Sequence, residues 1–144
     1  MRDPTLEQIF MYLIERTERQ MNRYANAALK SNGIEISADQ WVILKRIGDR
    51  EEINQRELAE LTVKDTASMT QMLDILEKDG LLKRVETEND RKSYNLVLTN
   101  AGFELVEKIA PIARNFRVQG LKGIQEDELL RLKKTLNKIY ENYG

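Results

Sequence analysis

The sequence has neither cysteine nor histidine among its 144 residues. Without cysteine, the chain can form no disulfide, thiolate nucleophile, cysteine-based zinc site or thiol redox sensor. Without histidine, it lacks the usual general base near neutral pH and the commonest protein ligand for metals. We therefore expect no metal ion or other cofactor.

An enzyme with this composition would have to work with Asp, Glu, Lys, Tyr or Ser alone, and neither of the two acidic clusters in the sequence needs a catalytic explanation. Glu51 and Glu52 lie in an expected loop, and residues 126–128 (Glu-Asp-Glu) open an expected helix, where acidic side chains favour the helix dipole. We therefore predict that the protein is not an enzyme.

Proline and glycine are scarce, with two and seven residues, so the chain has little room for a disordered linker. No apolar run approaches the length needed to span a membrane, and the N-terminal residues resemble no signal peptide. The expectation is a cytoplasmic protein that forms one domain over residues 1–144.

Both ends of the sequence show long helical patterns. Apolar residues over 5–32 recur mostly every three or four positions, and a helix of about 28 residues would span roughly 40 Å. A second pattern begins at Thr99 and Asn100, and Pro111 lies inside it and should kink or interrupt the helix. A last helix begins with residues 126–128. Because such helices exceed what a small core needs, we predict that residues 1–32 and 100–144 form dimerisation helices.

The middle of the chain has the order helix, helix, hairpin. Capping boxes at Ser37 and Asn54 open two helices, and Asp65 can cap a third helix that ends before Gly80. Alternating residues then predict strands at 81–85 and 93–98, joined by a charged loop over residues 86–92. This order predicts a mainly α fold with a small β-hairpin wing (α+β), and a winged helix-turn-helix over residues 37–99.

The third of these helices has one apolar and one polar face. Its apolar stripe comprises Met69, Met72, Leu73 and Leu76, and the opposite face carries small polar groups and a glutamine, which can pair with adenine. We predict DNA contacts from Lys64, Thr66, Ser68, Thr70 and Gln71. The alternative reading is that the threonine and serine residues only start the helix.

Four motifs occur in order at characteristic spacings: Leu58-Ala59, then residues 76–84 (LEKDGLLKR), then residues 90–92 (DRK), then residues 98–102 (LTNAG). Together they resemble the MarR family of bacterial transcription regulators over nearly the whole chain. The resemblance implies a homodimer with one winged helix-turn-helix per subunit, bound to a palindromic operator. Many relatives are repressors released by small, often phenolic, anionic ligands.

The wing departs from the family pattern Asp-x-Arg. The position of the family's minor-groove arginine is Lys92, and the arginine stands one residue earlier, at Arg91. Arginine suits a narrow minor groove better than lysine. The resemblance therefore implies a wing contact from Arg91 or Lys92, with Asp90 holding an arginine in place.

Charge argues against a simple nucleic-acid binder. The net charge of the chain is −1, and residues 53–99 hold seven basic and nine acidic groups, a balance of −2. Non-specific DNA affinity depends on the phosphates neutralised, so it should be modest here. A winged helix that binds another protein instead of DNA is therefore the alternative function.

The resemblance also implies an effector pocket between the dimerisation helices and the winged part. Its candidate lining residues are Met21, Tyr24, Trp41 and Phe116. The alternative is that these four side chains belong to the core or the dimer interface.

Overall fold

The computed structural model describes the backbone of residues 2–50, 52–62, 66–87 and 90–144. The side chains of Thr66, Thr87 and residues 90–93 are also outside the description, as are the predicted DNA contact of Lys64 and the predicted cap of Asp65. The elements are α1 (Phe10–Ser31), α2 (Ala38–Gly48), α3 (Gln55–Leu61), α4 (Thr66–Lys78), β1 (Leu82–Thr87), β2 (Asp90–Leu98), α5 (Asn100–Gly120) and α6 (Glu126–Asn142). The predicted mainly α fold with a small hairpin is confirmed.

The first helix is shorter than the predicted span of residues 5–32. A single 3-10 turn, Leu6–Gln8, precedes α1, and the two are separated by Ile9, whose φ of −80° and ψ of 127° are extended. The turn is capped at its start by Thr5, whose backbone N–H donates to the side chain of Gln8 at 3.0 Å. The apolar repeat runs across both pieces, so the repeat itself does not predict the break at Ile9.

The predicted helix starts at Ser37, Asn54 and Thr99 are confirmed. The side chain of Ser37 accepts from the backbone N–H of Gln40 at 3.2 Å, and that of Asn54 accepts from Glu57 at 2.8 Å. Such bonds satisfy backbone donors that a helix start leaves unpaired.

The core lies between α2, α3, α4 and the inner face of the hairpin. Its most buried side chains include Leu44 from α2, Leu58 from α3 and Leu73 from α4. The hairpin contributes Leu82 and Leu96, and α5 covers this core with Ile109. The winged part therefore shares one hydrophobic core with α5.

The hairpin is longer than the sequence indicates. Its strands pair antiparallel from Leu82 opposite Leu98 to Glu86 opposite Tyr94, and the register then shifts so that Thr87 faces Asp90. The prediction of a loop over residues 86–92 is therefore wrong at both ends, because cross-strand pairing includes positions whose charge suggested a loop. An isolated antiparallel bridge between Asn54 and Asn95 also connects the segment before α3 to β2.

Helix α5 continues through Pro111, so the predicted interruption does not occur. Proline removes one backbone donor, which leaves the carbonyl of Glu107 without its usual partner. Both Pro111 and Glu107 are exposed, and water can therefore hydrate that carbonyl. Among the helices that the structure describes, none combines the length and the apolarity required to cross a membrane.

Candidate nucleic-acid interface

Helix α4 presents the face that the helical period predicts. Met69, Leu73 and Leu76 are buried, whereas Gln71 and Asp74 on the other side are exposed. Ser68 and Thr70 are half-buried at the borders of this face. Of the three predicted base contacts whose side chains the structure describes, Gln71 is therefore exposed and the two hydroxyl-bearing residues are half-buried.

The hairpin carries the predicted wing residues on β2. The backbone of Asp90, Arg91 and Lys92 is in strand conformation at the end of the hairpin that lies away from Leu82 and Leu98. Their side chains lie outside the described part of the structure. The wing contacts, and the choice between Arg91 and Lys92, remain predictions.

A polar cluster that sequence analysis did not single out joins the hairpin to α4 and α3. Arg84 of β1 lies 2.8 Å from a carboxylate oxygen of Asp74 and 3.1 Å from one of Glu77. Its Nε donates to the side chain of Gln55 at 3.3 Å, and its backbone N–H donates to Glu77 at 3.0 Å. We call Gln55, Asp74, Glu77 and Arg84 the Arg84 cluster.

One signal in the sequence could have revealed this cluster. Arg84 lies two residues after the buried Leu82 on β1, so both side chains point to the same face of the hairpin. A cation on the inward face needs hydrogen-bonding partners, which here are the carboxylates of α4.

The start of α5 is fixed to the turn after α4. The hydroxyl of Thr99 donates to the carbonyl of Gly80 at 2.6 Å and accepts from the backbone N–H of Gly102 at 3.1 Å. A Cβ at Gly102 would lie 2.1 Å from the carbonyl oxygen of Leu81. Only glycine, which has no Cβ, avoids this overlap. The winged part and α5 therefore meet through closely packed backbones.

Three of the four candidate pocket residues lie together. Met21, Trp41 and Phe116 line a cavity of about 370 Å³ between α1, α2 and α5. Tyr24 instead lines an adjoining groove of about 880 Å³ beside α6, and its ring lies 6.1 Å from that of Phe116, which borders both spaces. The indole N–H of Trp41 is buried and has no hydrogen-bond partner among the described residues.

Large apolar side chains of the terminal helices are exposed on the single chain. In α6, every residue of which is described, no side chain is buried, and Leu136 and Tyr140 are 40% and 81% exposed. The residues that share this property at the N-terminal end include Leu6, Phe10, Met11 and Ile14. Large exposed apolar side chains in such number are typical of interaction sites when they adjoin one another.

The fold and the exposed face of α4 beside a hairpin define a winged helix-turn-helix protein. Residues 36–94 match the model of the MarR family. The chain is 24% identical over 142 residues to the HTH-type transcriptional regulator SarZ of Staphylococcus saprophyticus, covering 99% of this chain and 94% of that protein. It is 26% identical over 136 residues to the organic hydroperoxide resistance transcriptional regulator of Bacillus subtilis, covering 94% and 90%.

Solved structures agree in fold. A MarR mutant from E. coli complexed with operator DNA has a TM-score of 0.84 and 26% identity, covering 96% of this chain and 99% of that one. The MepR–DNA complex of S. aureus has a TM-score of 0.86 and 21% identity, covering 94% and 99%.

The class that these findings support is that of DNA-binding transcriptional regulators. Within it, the resemblance to the MarR family predicted from the motifs is confirmed. The prediction that the protein is not an enzyme is also confirmed, since the relatives are transcriptional regulators. A winged helix that binds only another protein is not favoured.

Proposed function

We propose that the protein regulates transcription by binding a palindromic operator in double-stranded DNA as a homodimer, and that it is a ligand-responsive repressor. The exposed polar face of α4 beside the hairpin is the observation that carries this proposal. A structurally similar MarR mutant was solved with operator DNA, which supports the same reading. Contact with DNA would take place in the cytoplasm.

In this proposal, α4 enters the major groove and the hairpin contacts the adjacent minor groove. The helix supplies contacts from Lys64, Thr66, Ser68, Thr70 and Gln71. The wing supplies Arg91 or Lys92, with Asp90 orienting an arginine. Because the net charge of the region is not positive, specificity rests on these few placed groups more than on general attraction to phosphates.

The homodimer is supported by the exposed apolar side chains of the terminal helices. Residues 1–32 and 100–144 carry these side chains, and a second copy would bury them. A two-fold dimer also matches the two half-sites of a palindrome, since protein symmetry and operator symmetry then coincide.

Binding to DNA tests the regulatory function directly. The measurement is fluorescence anisotropy with duplexes that tile the region upstream of the protein's own gene, at several salt concentrations, with a scrambled duplex as the control. We expect one duplex to bind below micromolar at low salt and to weaken as salt rises. Failure of every duplex to bind below micromolar would refute the proposal.

The cavity lined by Trp41 is the proposed effector site. Its volume of about 370 Å³ lies within the range of small-molecule pockets, and its walls are mostly apolar. An anionic aromatic effector would meet the guanidinium of Arg117 in the wall of the cavity, although Glu18 and Asp39 also line it. A comparison of anionic with neutral aromatic compounds therefore tests the preference for an anion.

A thermal-shift comparison separates these possibilities. Salicylate and benzoate should raise the melting temperature of the wild type more than the neutral benzamide does. Trp41→Ala removes an aromatic side chain from the cavity wall, so the increase should shrink in that variant. If no aromatic compound stabilises the wild type, effector control through this cavity is wrong and DNA binding is unaffected by that result.

A further inference from the structure

The Arg84 cluster brings together three elements of the winged part. Three nitrogen atoms of the Arg84 side chain have partners on α3 and α4, and the side chain is only 15% exposed. Its guanidinium is therefore committed within the protein and does not extend into solvent. A lysine, with one compact ammonium group, could not contact three separate groups in this way.

Asp74 belongs to the same exposed face of α4 as Gln71. The two are three residues apart on the helix, and the Asp74 side chain is 63% exposed. A carboxylate on a surface that approaches DNA repels phosphate and must lose its water shell. The Arg84 guanidinium, 2.8 Å from that carboxylate, offsets the repulsion.

We propose that Arg84 is a positioning residue for DNA binding: it neutralises Asp74 on the DNA-facing side of α4 and ties α4 to β1 and α3, without touching DNA itself. The inference rests on the proposed DNA-binding function. Arg84 is not among the predicted DNA contacts. The shape and charge of the face that contacts DNA nevertheless depend on it.

The test compares Arg84→Gln, Asp74→Asn and the double variant on the tightest-binding duplex selected from a randomised double-stranded DNA library. Arg84→Gln should lower the affinity roughly tenfold, within the range of couplings between charged groups in contact. The slope of log affinity against log salt should stay unchanged, since no phosphate contact is lost. Adding Asp74→Asn should restore most of the affinity.

Two outcomes would overturn the inference. If the salt slope of Arg84→Gln is shallower than that of the wild type by about one unit, the guanidinium contacts phosphate directly. Affinity that stays low in the double variant would mean that the charge of Asp74 is not what Arg84 offsets. A Lys45→Gln variant removes another paired cation, which lies on α2 at 2.6 Å from a carboxylate oxygen of Asp49, and should bind as the wild type does.

Folding is monitored by circular dichroism so that loss of structure is not mistaken for loss of positioning. If Arg84→Gln melts below the assay temperature, Arg84→Lys replaces it, because lysine keeps the charge but cannot bridge both carboxylates and Gln55. Wild-type affinity in Arg84→Lys would refute the bridging role. A wild-type protein that binds no duplex refutes the proposed function itself, whereas the outcomes above refute only the role of Arg84.

Discussion

At the scale of single residues, Gln71 has the most direct expected effect on specificity. Its side chain is exposed on α4, and glutamine can make two hydrogen bonds to adenine. Gln71→Ala should cost about 1–3 kcal/mol at one base position and relax the preference there, measured by binding to duplexes varied at single positions. An equal loss on every duplex would show that Gln71 contacts only the DNA backbone.

Gly102 tests the close packing of α5 on the winged part. A methyl group there would overlap the carbonyl oxygen of Leu81, so Gly102→Ala should lower the free energy of unfolding by about 1–3 kcal/mol in urea. Gly120→Ala is the matched control on the same helix, because no atom lies within 4 Å of its added Cβ. Equal stability of the two variants would contradict the tight contact at Gly102.

The orientation of single side chains followed from the sequence only where a local period governs it. The period of an α-helix predicts that Leu73 is buried and Gln71 exposed. The period of a strand likewise places Arg84 on the inward face of the hairpin, but its partners could not be predicted, because they depend on how β1 lies against α4. The helix period gives neither that packing nor the separation of Arg84 from Asp74.

At the scale of elements, the hairpin raises the question of which basic residue of the wing matters. Arg91→Ala should weaken DNA binding, because arginine suits a narrow minor groove. It should also make the salt slope shallower, because one cation fewer would displace counterions from the DNA. Lys92→Ala should have the smaller effect if Arg91 has taken over the family's arginine role. The measurement is anisotropy at several salt concentrations, and the reverse order would assign the role to Lys92.

Elements with chemical start signals were predictable, and those set by strand pairing were not. The starts of α2 and α5 were predicted from Ser37 and Thr99, whose hydroxyl oxygens accept hydrogen bonds from backbone N–H groups. The length of the hairpin did not, because charged residues 86–92 resemble a loop until their pairing partners are known. The break at Ile9 also escaped prediction, since the apolar repeat runs across it.

At the scale of the whole molecule, the exposed apolar surface of α6 tests the homodimer. Leu136→Glu should weaken self-association by about 2 kcal/mol or more. The substitution replaces an apolar side chain, whose burial favours association, with a charged one, whose burial is costly. Sedimentation equilibrium measures the shift toward monomer. Lys138→Glu puts the same residue on a different side of the helix and should leave association unchanged, so equal effects would argue against this surface.

In the proposed homodimer, the same surface would link the stability of the protein to its abundance. Since no residue of the fully described α6 is buried within one chain, a second copy would supply much of the packing of this helix. The melting temperature should therefore rise with protein concentration, as scanning calorimetry over a wide concentration range can measure. In a cell that makes few copies, newly synthesised chains would spend longer unassembled and exposed to proteases, so the amount of active regulator would fall more steeply than its rate of synthesis.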